Sequence, residues 1–210
     1  MPAFFFLRII PIPAFLACCS GGLADEKGMT TQPQNIFLVG PMGSGKTAVG
    51  RRLAQDIGRE FADSDTVIEA RTGVDIPFIF EKEGEAGFRG RECEVIDELT
   101  QQAGIVLATG GGAILSADNR SCLASRGIVI YLHASVDQQL QRTRRGQGRP
   151  LLNSGDPRQV LSELLKIREP LYLEIADLRI DTDNRTVAAV AAEIRDNLVK
   201  MEQLPGSHSQ

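Results

Sequence analysis

Asn35-Ile36-Phe37-Leu38-Val39-Gly40-Pro41-Met42-Gly43-Ser44-Gly45-Lys46-Thr47 is the stretch that decides the fold. It begins as a short apolar run closed by a glycine, the pattern of a strand buried on both faces of a parallel sheet. Residues 40–47 then satisfy the spacing G-x-x-x-x-G-K-[ST] at every specified position. Glycines let the backbone curl so that successive N–H groups converge on phosphate oxygens. A helix starting at Lys46 turns its positive end to the same anion. Lys46 neutralises the outer phosphates, and the Thr47 hydroxyl joins the shell of a Mg2+ ion. A chance glycine-rich turn is the bland alternative, and the strand before and helix after the loop count against it. The chain is expected to bind a nucleoside triphosphate.

Outward from this loop, short β-branched runs alternate with amphipathic stretches. The spacing of Val49, Leu53 and Ile57 predicts a helix from Lys46 to Ile57, stopped by Gly58. Strands are expected over residues 60–62, 105–108, 128–132 and 178–181. Helices are expected over 64–71 (capped by Ser64), 75–82, 85–102, 136–144, 156–176 (bent near Pro170) and 186–201. This alternation implies an α/β fold with a parallel sheet covered on both faces. Residues 146–157 are polar, basic and glycine-containing, and read as a mobile loop.

Composition bounds the class. The 210 residues are 42% hydrophobic and 24% charged, enough for one well-packed domain and too structured for disorder. Four cysteines are too few for a disulfide scaffold. Cys93 and Cys122 lack metal-ligand spacing and read as reduced, small apolar side chains. The net charge of −4 argues against a protein that coats nucleic acid.

The front end is compositionally foreign, with Phe4, Phe5, Phe6, Phe15, Cys18 and Cys19 crowded together. Its apolar stretch is short for a membrane span, and Arg8, Pro11 and Pro13 interrupt it. A secretory signal would carry its positive charge ahead of the apolar run, not inside it. The favoured reading is a dispensable extension over residues 1–33, or an early start with translation beginning at Met29. A secreted destination would also separate a nucleotide-dependent enzyme from its donor. The expectation is a cytoplasmic protein with no membrane partner, a domain over 34–202 and a tail over 203–210.

The class of triphosphate enzyme follows by exclusion. No guanine-reading N-K-x-D follows, and the run at 105–108 ends in Thr109-Gly110-Gly111-Gly112 where a motor ATPase would carry an acidic magnesium anchor. Small-molecule kinases remain, and they need an acceptor pocket and a lid that excludes water. Asp63-Ser64-Asp65 follows the second strand, where α/β folds place ligands. One carboxylate can orient a substrate hydroxyl and the other can hold magnesium-bound water; helix capping is their bland alternative. Arg89 could pair with Glu85 or Glu92, and Arg168 could face solvent. If both instead point into one pocket, the substrate is an anion whose carboxylate matches the guanidinium fork. Taken bare, Arg142, Arg144, Arg145 and Arg149 suggest an anion or nucleic-acid patch; in the lid of a kinase they would screen phosphoryl charge, with Arg144 and Arg145 open to a merely solvated reading.

G-P-M-G-S-G-K-T, D-S-D, G-F-R-x-x-E (Gly87, Phe88, Arg89, Glu92), A-T-G-G-G, R-P-L-L from Arg149 and R-x-P-L-Y from Arg168 to Tyr172 occur in this order. Together they resemble the shikimate kinase family over roughly residues 34–201. The resemblance implies a three-layer P-loop kinase fold of the nucleoside-monophosphate-kinase type, with a five-stranded parallel sheet and a mobile lid over about 144–158. It implies ATP as donor, Mg2+ as metal, and the 3-hydroxyl of shikimate as acceptor, in the making of aromatic amino acids. ATP would lie on Gly43, Ser44, Gly45, Lys46, Thr47, Ala48, Arg142 and Arg149, with Arg142 against the adenine. Shikimate would be held by Asp65, Arg89, Gly111, Gly112 and Arg168, in a region over about 62–90 and the glycine turn. Lys46, Asp65 and Arg149 would carry catalysis, and Thr47 and Asp63, the latter through water, the metal. A monomer is expected. Thr47 stands where the family often has Ser, a swap that keeps the hydroxyl. A kinase of another sugar acid, such as gluconate, and a non-catalytic nucleotide-binding module are the alternatives.

Overall fold

The computed structural model describes residues 34–143 and 156–203. The expectations for 1–33, for Arg144, Arg145, Arg149 and most of the lid, and for 204–210 fall outside the described residues.

The apolar runs form β1 (Asn35–Val39), β2 (Glu60–Asp63), β3 (Ile105–Ala108), β4 (Gly127–His133) and β5 (Leu178–Asp181). They make one sheet in the order β2-β3-β1-β4-β5, and every pairing is parallel. Parallel neighbours need long crossovers, which α1 (Lys46–Ile57), α2 (Ser64–Thr72), α3 (Ile76–Thr100), α4 (Ala117–Arg126), α5 (Val136–Thr143) and α6 (Pro157–Ile175) supply. The helix α7 (Val187–Gln203) closes the described chain.

The central strand β1 explains why the opening run is apolar throughout. All five of its residues are buried, and successive side chains enter opposite cores. Ile36 and Leu38 pack with Val49 and Leu53 of α1 and with Val190 and Ile194 of α7. Phe37 and Val39 join Val95 and Ile96 of α3, Leu123 of α4 and Tyr172 of α6 on the other face. Each such side chain contributes about 1.5–3 kcal/mol of burial free energy. Helices on both faces and the sheet between them are the three layers expected.

Three local expectations change. Asp63, not Ser64, caps α2: its extended backbone lets its carboxylate accept from the N–H groups of Asp65 and Thr66. Ser64 is the first helical residue, and its hydroxyl accepts from Gly110 N at 3.0 Å instead. The two helices expected over 75–82 and 85–102 form one run, α3, interrupted only at Gly84, whose φ of 69° and ψ of −176° are non-helical. A 3-10 turn (Ala113–Leu115) and α4 were not expected at all. In α4 only Leu123 and Asn119 are buried, so its apolar stripe is too thin to reveal a period. Ser116, whose Oγ accepts from Asn119 N, and the acidic Asp118 in the first turn are the start signals it carries.

Candidate active site

The segments that leave β1, β2 and β3 all emerge at the carboxyl edge of the sheet, where α/β folds bind ligands. After β1 comes the phosphate loop. Gly45 caps α1 with φ 94° and ψ 14°, a left-handed conformation that a side chain would strain. Lys46 is buried, and its Nζ donates to the carbonyls of Gly40 at 2.8 Å and Pro41 at 2.9 Å. Ser44 is also buried, with its Oγ 3.5 Å from that Nζ. The ammonium is thus held over the loop by the loop's own backbone. Arg142 of α5 closes the far side, donating to Gly43 O at 2.9 Å and to Thr182 O at 2.7 Å.

At the end of β2, Asp63 has a double task. One oxygen caps α2, and Oδ2 accepts from Thr47 Oγ1 at 2.7 Å. A hydroxyl and a carboxylate side by side at the mouth of a phosphate loop are hard oxygen donors of the type Mg2+ takes. Among the described residues no group of three or more His, Cys, Asp and Glu side chains could hold a metal. The donor set fits an ion that is completed by phosphate oxygens and water.

Asp65, two residues on, faces the pocket between the phosphate loop and α3. Its carboxyl is pushed up to about 6, chiefly because burial disfavours the charge, with Asp63 and Glu92 adding to the effect and Lys46 opposing it. Its Oδ1 is buried and meets no hydrogen-bond partner within the protein. Burial likewise holds Glu92 above the ordinary glutamate value, although Arg89 pulls it down. Glu92 Oε2 accepts from Arg89 Nη1 at 2.6 Å, while its Oε1 and Arg89 Nε are buried without partners. Arg89 also donates to Glu85 at 3.1 Å, so both carboxylates weighed for it are engaged. Arg168 does not face solvent. It is 5% exposed and donates to Gly111 O at 3.4 Å.

The glycine turn fits into this cluster because it lacks side chains. A Cβ on Gly110 would lie 2.4 Å from Glu92 Oε1 and 2.8 Å from Asp65 Oδ1. One on Gly112 would lie 2.1–2.6 Å from the Arg89 guanidinium. Gly111 packs on the phosphate loop, with a Cβ position 3.3 Å from Met42 N.

All these parts line one cavity of about 520 Å3, which takes in Gly43, Gly45, Thr47 and Ala48 at one end and Arg89 and Arg168 at the other. Of the expected site residues, Ser44 sits behind the loop and Arg149 falls outside the described residues. Sequence reasoning missed the apolar wall of Ile76, Pro77 and Phe80, weighed Glu92 only as a helix-surface partner of Arg89, and gave Tyr172 no role although it stands in a quoted motif. The i, i+4 pair Ile76 and Phe80 at a helix start was the available signal for the wall. No helix among the described residues is long and apolar enough to cross a membrane.

Residues 42–199 match the family model described as shikimate kinase. A curated shikimate kinase of Haemophilus influenzae is 55% identical over 177 residues, which cover 84% of this chain and 98% of that protein. The solved structure of shikimate kinase from Acinetobacter baumannii in complex with shikimate is 54% identical, with a TM-score of 0.80 over 83% of this chain and 97% of that one. The structure of the Aquifex aeolicus shikimate kinase is 31% identical, with a TM-score of 0.72 over 81% of this chain and 99% of its own. The chain therefore belongs to the shikimate kinase family.

Proposed function

We propose that this cavity transfers the γ-phosphoryl group of ATP to the 3-hydroxyl of shikimate, giving shikimate 3-phosphate for aromatic amino-acid synthesis. The observation that carries the reading is Asp65 Oδ1. It is a buried carboxylate oxygen without a protein partner, placed between a phosphate loop and two arginines. Such an oxygen suits an acceptor hydroxyl: it orients the oxygen for in-line attack and takes its proton as the new P–O bond forms. Arg89 and Arg168, with the Gly111–Gly112 backbone, hold the substrate carboxylate. The N–H groups of residues 43–48 and Lys46 hold the phosphates, with Arg142 against the adenine. Thr47, and Asp63 through water, would hold Mg2+, which would neutralise phosphate charge when bound. Arg149, outside the described residues, would contact the transferring group.

Residues 34–202 form the kinase domain, with 1–33 as an extension. The ATP requirement supports a cytoplasmic site of action. The test is ATP consumption by the full chain with shikimate, with gluconate, or with no acceptor. Turnover with shikimate alone is expected. Turnover with gluconate alone would transfer the reading to a sugar-acid kinase, and none with either would favour a nucleotide-binding module.

A further inference from the structure

The three carbonyls of the glycine turn are satisfied in two different ways. Those of Gly110 and Gly112 accept from Ala113 N at 3.2 Å and Leu115 N at 3.0 Å, within the turn itself. The Gly111 carbonyl accepts from α6, taking the Tyr172 hydroxyl at 2.5 Å and the longer Arg168 contact at 3.4 Å. Tyr172 is 1% exposed, and its ring stacks on Tyr131 with centroids 5.0 Å apart. Burial holds its hydroxyl well above the ordinary tyrosine value, so it remains a donor.

The carbonyl of Gly111 and the N–H of Gly112 belong to one planar trans peptide and point in opposite directions. With glycine on both sides, that plane can rotate at little steric cost. A side chain on Gly111 could not stiffen it without pressing on Met42 N and Gly40 O of the phosphate loop, at 3.3 and 3.4 Å. The restraint has to come from another element. Among the described residues the N–H groups of Gly111 and Gly112 donate to no protein acceptor.

We propose that Tyr172 is a positioning residue of the acceptor site, whose hydroxyl locks the Gly111–Gly112 peptide with the Gly112 N–H turned into the pocket. This rests on the reading of the pocket as the shikimate site. Where a binding-competent orientation is only a fraction of the population, apparent affinity falls by that fraction. Tyr172→Phe removes the lock and keeps the ring stack. In the full chain it is expected to weaken shikimate binding, and to raise its KM, by about tenfold. ADP affinity and kcat at saturating shikimate should stay within about threefold of the parent. A Tyr172 that merely supports the core would lower the melting temperature and leave shikimate affinity within twofold, which would overturn the proposal. Should the variant fail to fold, the parent's Gly111 and Gly112 amide resonances carry the test. Single sharp signals before shikimate is added are expected, and exchange between two orientations would overturn the lock. A parent that binds ADP but no shikimate would instead sink the site reading, and the lock with it.

Discussion

Arg89 Nη1 lies 2.6 Å from Glu92 Oε2, one turn further along α3, and Glu92 is 1% exposed. The ion pair that would make Arg89 an ordinary helical arginine is therefore present, yet it sits on the wall of the cavity. The carboxylate behind the guanidinium is buried and cannot turn to water, so it holds Arg89 where an anion in the pocket meets it.

Arg89→Ala should weaken shikimate binding by a factor on the order of a hundred and change ATP binding by no more than about threefold. It also strands the Glu92 charge, at a cost of about 2 kcal/mol, discounted because Arg89 itself is partly exposed. Separate titrations of the two substrates and urea melts check both. Equal losses for shikimate and ATP would place Arg89 outside the acceptor pocket.

Lys46→Ala should abolish transfer and leave shikimate binding largely intact, because Nζ lies at the donor end of the cavity on the Gly40 and Pro41 carbonyls. Rapid-quench phosphoryl transfer, read beside shikimate titration, decides it. Transfer near the parent rate would remove the phosphate-loop assignment.

Asp65 gives a pH signature. Its carboxyl moves from the ordinary 3.8 up to about 6 on folding, so between those values the folded state binds the extra proton. Its contribution favours folding at low pH and is lost as pH rises through about 6. Asp65→Asn should thus be more stable than the parent by about 1–2 kcal/mol at pH 8, with the gap closing toward pH 4. Urea melts across that range measure the gap, and one that widened toward acid would contradict the shift. In the parent, kcat/KM for shikimate should fall below about pH 6 as this carboxylate takes its proton.

Two glycines separate site from scaffold. Gly110→Ala would drive a methyl into Glu92 Oε1 and Asp65 Oδ1, so kcat/KM should drop by about a hundredfold or more. Gly50→Ala meets Phe61 Cε2 at 2.5 Å and Leu38 at 3.0 Å inside the other core, away from the cavity. It should cost about 1–3 kcal/mol of stability and leave the KM for shikimate unchanged. Calorimetry and steady-state kinetics on both variants test the division, and a reversal of the two effects would refute it.

Much of this was legible in local pattern. The run from Asn35 to Thr47 fixed a buried strand, a phosphate loop and a helix, because strand burial, glycine torsions and loop spacing are properties of neighbouring residues. The carboxyl-edge position of Asp63 and Asp65 followed from strand–helix order. Helix α4 escaped because its single buried leucine leaves no period to see. The cap of α2 was placed one residue late because Ser64 and Asp63 have equal standing as caps in a bare sequence; the extended backbone at Asp63 decided between them.

The sequence by itself therefore determined the architecture and the donor end of the site. Only the tertiary structure decided what Arg89, Arg168, Glu92 and Tyr172 do. Arg89 and Arg168 had helix-pairing or solvent-facing alternatives, and Glu92 and Tyr172 had no site role of their own; the outcome depended on burial and on partners up to 61 residues away, as Tyr172 to Gly111 illustrates. Short-range spacing encodes backbone geometry, whereas the desolvation that raises Asp65 and the room that Gly110 leaves between two carboxylates exist only once three separate segments meet.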